Sequence, residues 1–234
     1  MSRVQDRRRR RLQPAWLGLA GLAVLAACDS PTIPARDQPY DFTLATEPAL
    51  VFHWPVGSTV RLYVSEPAGT RQGLLSEAVV HGMRVWNQAV LYDEYRLEAV
   101  ASPASAHAVI VWSDDPAPPV LTESCSPAVG RAVTTFCAVE EEELRRLRPF
   151  PLSADAGAES PVRFVVTLGT REGEDREQLR RLVAHELGHV LGIFRHAPSN
   201  EDLMWGGLLT TDVPSRADRQ TIQVLYHTAP DLRP

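Results

Sequence analysis

The sequence predicts a single α+β domain, and three features carry that prediction. A strand and an amphipathic helix come early, a group of short β-prone runs follows, and two helices stand late in the chain. Val60-Arg61-Leu62-Tyr63-Val64 alternates in type and reads as a strand. Residues 74–90 place apolar side chains at 75, 78, 79, 83, 86 and 90, a helical period with Trp86 on the buried stripe. Residues 95–100 and 108–112 are short strands separated by a Ser-Pro-Ala-Ser turn, and 130–139 is a further β-prone run. Residues 162–168 (VRFVVTL) give a strong strand signal and lead through a loop into a helix from about 174 to 191. Residues 215–226 form a closing helix, with Ser215 as N-cap and Ile222, Leu225 and Tyr226 facing inward.

The N-terminus stands apart from this pattern. Residues 7–11 are five arginines, and residues 15–27 are an apolar run too short for a comfortable membrane span. The run ends Leu25-Ala26-Ala27-Cys28, which resembles a bacterial lipobox and implies cleavage before Cys28 and its lipidation. An ordinary signal peptide or an uncleaved anchor is the other reading, and the arginines also fit a twin-arginine leader. Asp29 resembles the inner-membrane retention signal of some Gram-negative lipoproteins. Residues 29–39 (DSPTIPARDQP) have the composition of a tether. The expected organisation is a lipoprotein signal peptide at 1–27, lipidated cysteine and tether at 28–55, and one folded domain at 56–234. The chain is expected in the cell envelope, lipid-anchored, facing periplasm or exterior.

Without residues 1–27 the chain carries 18 arginines and no lysine against 28 acidic residues, a formal charge of about −10. An acidic chain with no basic stripe argues against a nucleic-acid partner. Cys125 and Cys137 are most simply a disulfide in an exported protein, and two thiolate ligands of a second metal are the competing reading. The charged block at 140–149 (EEEELRRLRP) reads as a solvated helical turn. A calcium site there is unsupported, because consecutive glutamates on a helix point in different directions.

The chemistry is concentrated in His185-Glu186-Leu187-Gly188-His189. Four residues are about one helical turn, so His185 and His189 share a face and can hold one metal ion. Glu186 lies about a hundred degrees round the helix, near the ion and outside its ligand shell. Such a pair of imidazoles with an adjacent carboxylate suits hydrolysis by a metal-activated water. Gly192 stops the helix and turns the chain back, which can carry His196 towards the same ion as a third ligand.

The segment resembles the metzincin zinc peptidases, most closely the matrixin branch, whose motif is H-E-x-x-H-x-x-G-x-x-H followed by a methionine turn. His185, Glu186, His189 and Gly192 fall in register. The last histidine position holds Arg195, which cannot ligate a metal, and His196 comes one residue late. Either a one-residue bulge brings His196 to the metal, or another group takes the third place, with Glu201, Asp202 and Asp218 in reserve. Met204 stands eight residues after His196, the matrixin-like separation, and residues 214–226 resemble the helix after the methionine turn.

The resemblance implies a zincin-like, twisted mixed sheet with an active-site helix and a C-terminal helix after the turn. It further implies one catalytic Zn2+ on His185, His189 and His196, Glu186 as general base, and Met204 as an apolar floor. The expected activity is endopeptidase action on a protein or peptide substrate by a monomer tethered to the membrane. Residues 29–55 hold no cysteine, so the family's inhibitory cysteine segment is expected to be absent. Two alternatives stay open: a non-catalytic, zinc-stabilised envelope lipoprotein that binds a partner, and a zinc amidase with a non-peptide substrate. No carboxylate stands out as an orienting partner for the histidines. His53, His81, His107 and His227 are expected at the surface or as caps. Trp54 and Trp112 are expected in the core, and Trp205 has the best claim to line a groove.

Overall fold

The structure, a computed structural model, describes residues 34–65, 73–115, 131–137, 164–169 and 175–232. It divides into two units, Met1–Pro34 and Ala35–Pro234, and every element below belongs to the second. The signal peptide expected at 1–27, Cys28, Cys125 and the charged block at 140–149 lie outside the described residues.

Among the described residues five strands form one sheet: β1 (Ser58–Val64), β2 (Tyr95–Ala99), β3 (Ala108–Trp112), β4 (Ala132–Phe136) and β5 (Phe164–Leu168). Their order is β2-β1-β3-β5-β4. All neighbours are parallel except β4, which runs antiparallel to β5 along one edge. The sequence explains the centre: β3 (AVIVW) and β5 (FVVTL) are apolar on both faces apart from Thr167, as strands covered on both sides must be. Ile110, Trp112, Phe164, Val166 and Leu168 face the main core. Val109, Val111 and Val165 face the other side in a smaller apolar cluster.

Among the described residues three α-helices accompany the sheet: α1 (Leu74–Asn87), α2 (Arg176–Val190) and α3 (Arg216–Tyr226). α1 and α2 pack closely because Gly82 faces α2, where a Cβ would come within 2.8 Å of Leu187 Cδ1. Two buried indoles then fix α2 against its neighbours. Trp86 donates to the carbonyl of Ala184 at 2.7 Å and Trp54 to that of Val190 at 2.8 Å. Among the described residues no helix is long and apolar enough to cross a membrane.

The domain begins earlier than expected. Residues 40–54 were expected as tether, yet Phe52 and Trp54 are each 1% exposed, and Tyr40 and Phe42 pack against the core. Phe52 meets the rings of Trp54, Phe136, Phe164 and Phe194. Burying one such phenylalanine contributes about 1.5–3 kcal/mol. The polar composition of residues 29–39 does not extend to the aromatic stretch that follows.

Candidate metal centre

α2 carries the first two candidate ligands and has defined ends. Asp175 caps its start, accepting the N–H of Gln178 at 2.6 Å. At its end, Gly192 N–H donates to the carbonyl of His189 and Ile193 N–H to that of Gly188, at 3.0 and 3.1 Å, a Schellman motif. Gly192 sits at φ +110°, and a Cβ there would stand 2.3 Å from the carbonyl oxygen of Phe52. Only glycine fits that turn.

The imidazoles are oriented by backbone carbonyls, which answers the missing carboxylate partner. His185 Nδ1 lies 2.8 Å from the carbonyl oxygen of Leu203, and His189 Nδ1 lies 2.5 Å from that of Ile193. A carbonyl can only accept, so each Nδ1 carries the proton and each Nε2 of the neutral ring presents a lone pair. The two Nε2 atoms face each other at 3.2 Å. Two lone pairs at that distance do not bond to each other and are reconciled by a shared cation. Nitrogens at about 2.0–2.1 Å from a tetrahedral zinc lie about 3.3–3.4 Å apart, so the pair fits such an ion.

His196 joins them. The ligand atoms of His185, His189 and His196 all lie within 4.8 Å of one another, an arrangement that could hold a metal ion. The one-residue offset is absorbed after Gly192. Phe194 N–H donates to the carbonyl of Phe42 at 3.0 Å, and Arg195 turns towards Asp41, with Nε 3.6 Å from Oδ2. Ala197 N–H then donates to the carbonyl of Met204 at 2.8 Å, and Ala197 is bridged to Trp205. Gly206 passes against the His196 ring, where a Cβ would come within 2.7 Å of Nδ1. Met204 is fully buried, and Gly188 makes room for it: a Cβ on Gly188 would lie 2.3 Å from Met204 Sδ.

Burial pushes the pKa of both His185 and His189 down to about 4, and each is lowered further because a second positive charge beside a neighbouring imidazole, His189 for His185 and His196 for His189, is unfavourable. The rings therefore stay neutral, as metal ligands must be, well into mild acid. Burial raises the Glu186 carboxyl, opposed by His185 and by a hydrogen bond from Thr134. That bond, from Thr134 Oγ1 to Glu186 Oε2 at 2.6 Å, was not foreseen from sequence. Only the pairing of β4 with β5 reveals which face Thr134 takes. The histidines and Glu186 line a cavity of about 530 Å³, together with Thr134, Leu182, Phe194 and Trp205.

The reserve ligands lie elsewhere. Asp218 is fully buried and already employed, accepting the N–H groups of Leu203 at 2.8 Å and Ser215 at 2.8 Å and the hydroxyl of Tyr40 at 2.5 Å. Asp202 bonds Ser215, and Glu201 is exposed. Two further histidines depart from expectation. His53 is buried between the carbonyls of Trp54 and Thr228, at 2.7 and 2.9 Å. His107 is buried under Trp54 and bonded by Arg61, because each ring finds polar partners within the core. His81 pairs with Asp212 at 3.0 Å, and His227 is exposed near Glu94. Trp54 and Trp112 are buried as expected, while Trp205 lines the cavity.

No family model and no curated protein matches the sequence. Two solved structures of myroilysin resemble the chain in shape, both at 15% identity. One covers 76% of this chain and 96% of its own with a TM-score of 0.42, the other 83% and 96% with a TM-score of 0.43. Likeness at that level does not assign the chain to a family.

Proposed function

We propose that this chain is a zinc-dependent endopeptidase of metzincin-like, matrixin-like fold. The observation that carries the proposal is the pair of Nε2 lone pairs facing each other at 3.2 Å, with His196 beside them and Glu186 next in sequence on the cavity wall. Three imidazole donors with room for a fourth group are the donor set of catalytic zinc, whereas structural zinc has four closed ligands. The ion would supply Lewis acidity, lowering the pKa of a water to about 7 and polarising a carbonyl.

The protein's own groups do the rest. Glu186 takes a proton from the attacking water as its oxygen bonds to the carbonyl carbon. When the C–N bond breaks, Glu186 delivers that proton to the departing amine, leaving a carboxylate and an amine. A peptide is favoured as substrate because β4 lines the cavity and, among the described residues, pairs on one side only, with β5. An extended chain can add to such an edge through its main-chain N–H and C=O groups.

The proposal extends to a monomer anchored in the cell envelope through lipidated Cys28, with a Cys125–Cys137 disulfide. Against a zinc-stabilised binding protein stands Glu186, a carboxylate at the cavity that a structural site does not need. A zinc amidase with a non-peptide substrate shares the same machinery. Turnover of an unfolded protein substrate, measured with and without a chelator, separates the three. Chelator-sensitive cleavage at internal bonds supports the peptidase, and a metal-loaded protein that cleaves no peptide refutes it.

A further inference from the structure

On β4, residues alternate between the two faces of the sheet. Ala132 and Phe136 pack against the main core, so Thr134 between them faces the same side. Its partner in register on β5 is Val166, flanked by Phe164 and Leu168, all three buried in that core. Packing alone would place valine at position 134, which has the same shape without the oxygen. The hydroxyl that Thr134 carries instead donates to Glu186 Oε2 at 2.6 Å. The same oxygen lies 3.3 Å from the main-chain carbonyl of Glu186.

We propose that Thr134 is a positioning residue for Glu186, its hydroxyl fixing one carboxylate oxygen so that the other handles the proton. The proposal rests on Glu186 being the base. Thr134 has one hydroxyl hydrogen, and a bond this short to a carboxylate is of the strong, charge-assisted kind. With Oε2 occupied as acceptor, a proton taken up by Glu186 resides on Oε1. The carboxyl group then cannot swing between orientations during turnover, and β4, which borders the cavity, is tied to the base it serves. Thr134 is not among the grouped histidine donors and its hydroxyl is engaged by the Glu186 carboxylate, so its effect passes through Glu186.

The test compares Thr134→Val and Thr134→Ser in the full chain. Thr134→Val is expected to bind one equivalent of zinc and to keep the parental melting temperature. Its kcat should fall roughly 10–100-fold, the usual cost of losing an orienting partner, with KM within about twofold. Thr134→Ser, which keeps the hydroxyl, should recover kcat to within about threefold. A second readout needs no turnover: the visible spectrum of the Co2+-loaded protein should change in Thr134→Val but not when Glu186→Ala is already present. Parental kcat in Thr134→Val, equal losses in the Val and Ser variants, or the same spectral change with and without Glu186 would each overturn the proposal. If the parent chain hydrolyses no peptide, the peptidase assignment falls, and the Co2+ comparison still decides whether Thr134 acts through Glu186.

Discussion

Asp218 holds Leu203, and through it the first histidine of the candidate metal centre. The Asp218 carboxylate accepts the Leu203 N–H at 2.8 Å, and the Leu203 carbonyl stands 2.8 Å from His185 Nδ1. The turn that carries Met204 is thus clamped from the start of α3, where Asp218 also closes a capping box with Ser215.

Replacing Asp218 with asparagine should therefore loosen the turn. An amide offers one acceptor oxygen where the carboxylate serves Leu203, Ser215, Met204 and Tyr40. Leaving a buried donor unpaired costs about 1–3 kcal/mol, so denaturant unfolding of the metal-free protein should show a loss of that order. Metal competition should show weaker binding as well, by roughly 10–100-fold.

Gly188→Ala should be destabilising from a different cause. The added methyl would stand within 3 Å of both Met204 and Trp86, and both are fully buried. Overpacking of this kind costs about 1–3 kcal/mol, and it should appear as a lower melting temperature even with chelator present.

Arg195 and His196 should separate cleanly. Arg195→Ala removes a half-exposed side chain directed at Asp41 and is expected to leave metal affinity within about twofold. His196→Ala removes one of three grouped donors and should weaken metal binding by more than about 100-fold, beyond the cost of losing an orienting partner. Isothermal titration of both variants with zinc checks the contrast, and equal affinities would remove His196 from the site.

The metal-free protein should lose stability in mild acid. His185 and His189 titrate near 4 in the folded chain against about 6.5 when unfolded. Between those values the unfolded chain binds protons that the folded chain does not, so stability rises with pH across this window. It is complete above about pH 6.5 and declines as the pH falls towards 4. Thermal melts in chelator should trace this decline, with a shallower slope in His185→Gln. Equal slopes in parent and variant would contradict it.

Much of the centre was legible because it is local. One helical turn brings His185 and His189 to one face, and Gly192 announces the stop that redirects the chain to His196. What stayed hidden depends on partners distant in sequence. Thr134 meets Glu186 only because β4 pairs antiparallel with β5, and a single strand does not state its register. His53 reads as a surface residue until Thr228 supplies its carbonyl. Asp218 looks like a spare ligand until Leu203 and Tyr40 claim it. Residues 40–54 follow a polar, proline-rich run, and the aromatic cluster that Phe52 joins comes from four separate segments.

The most direct test of the central claim is Glu186→Ala, measured for zinc content and for hydrolysis of an unfolded protein substrate beside the parent. The account predicts one bound zinc in each and cleavage in the parent alone. Cleavage by the variant at the parental rate, with zinc retained, would contradict it.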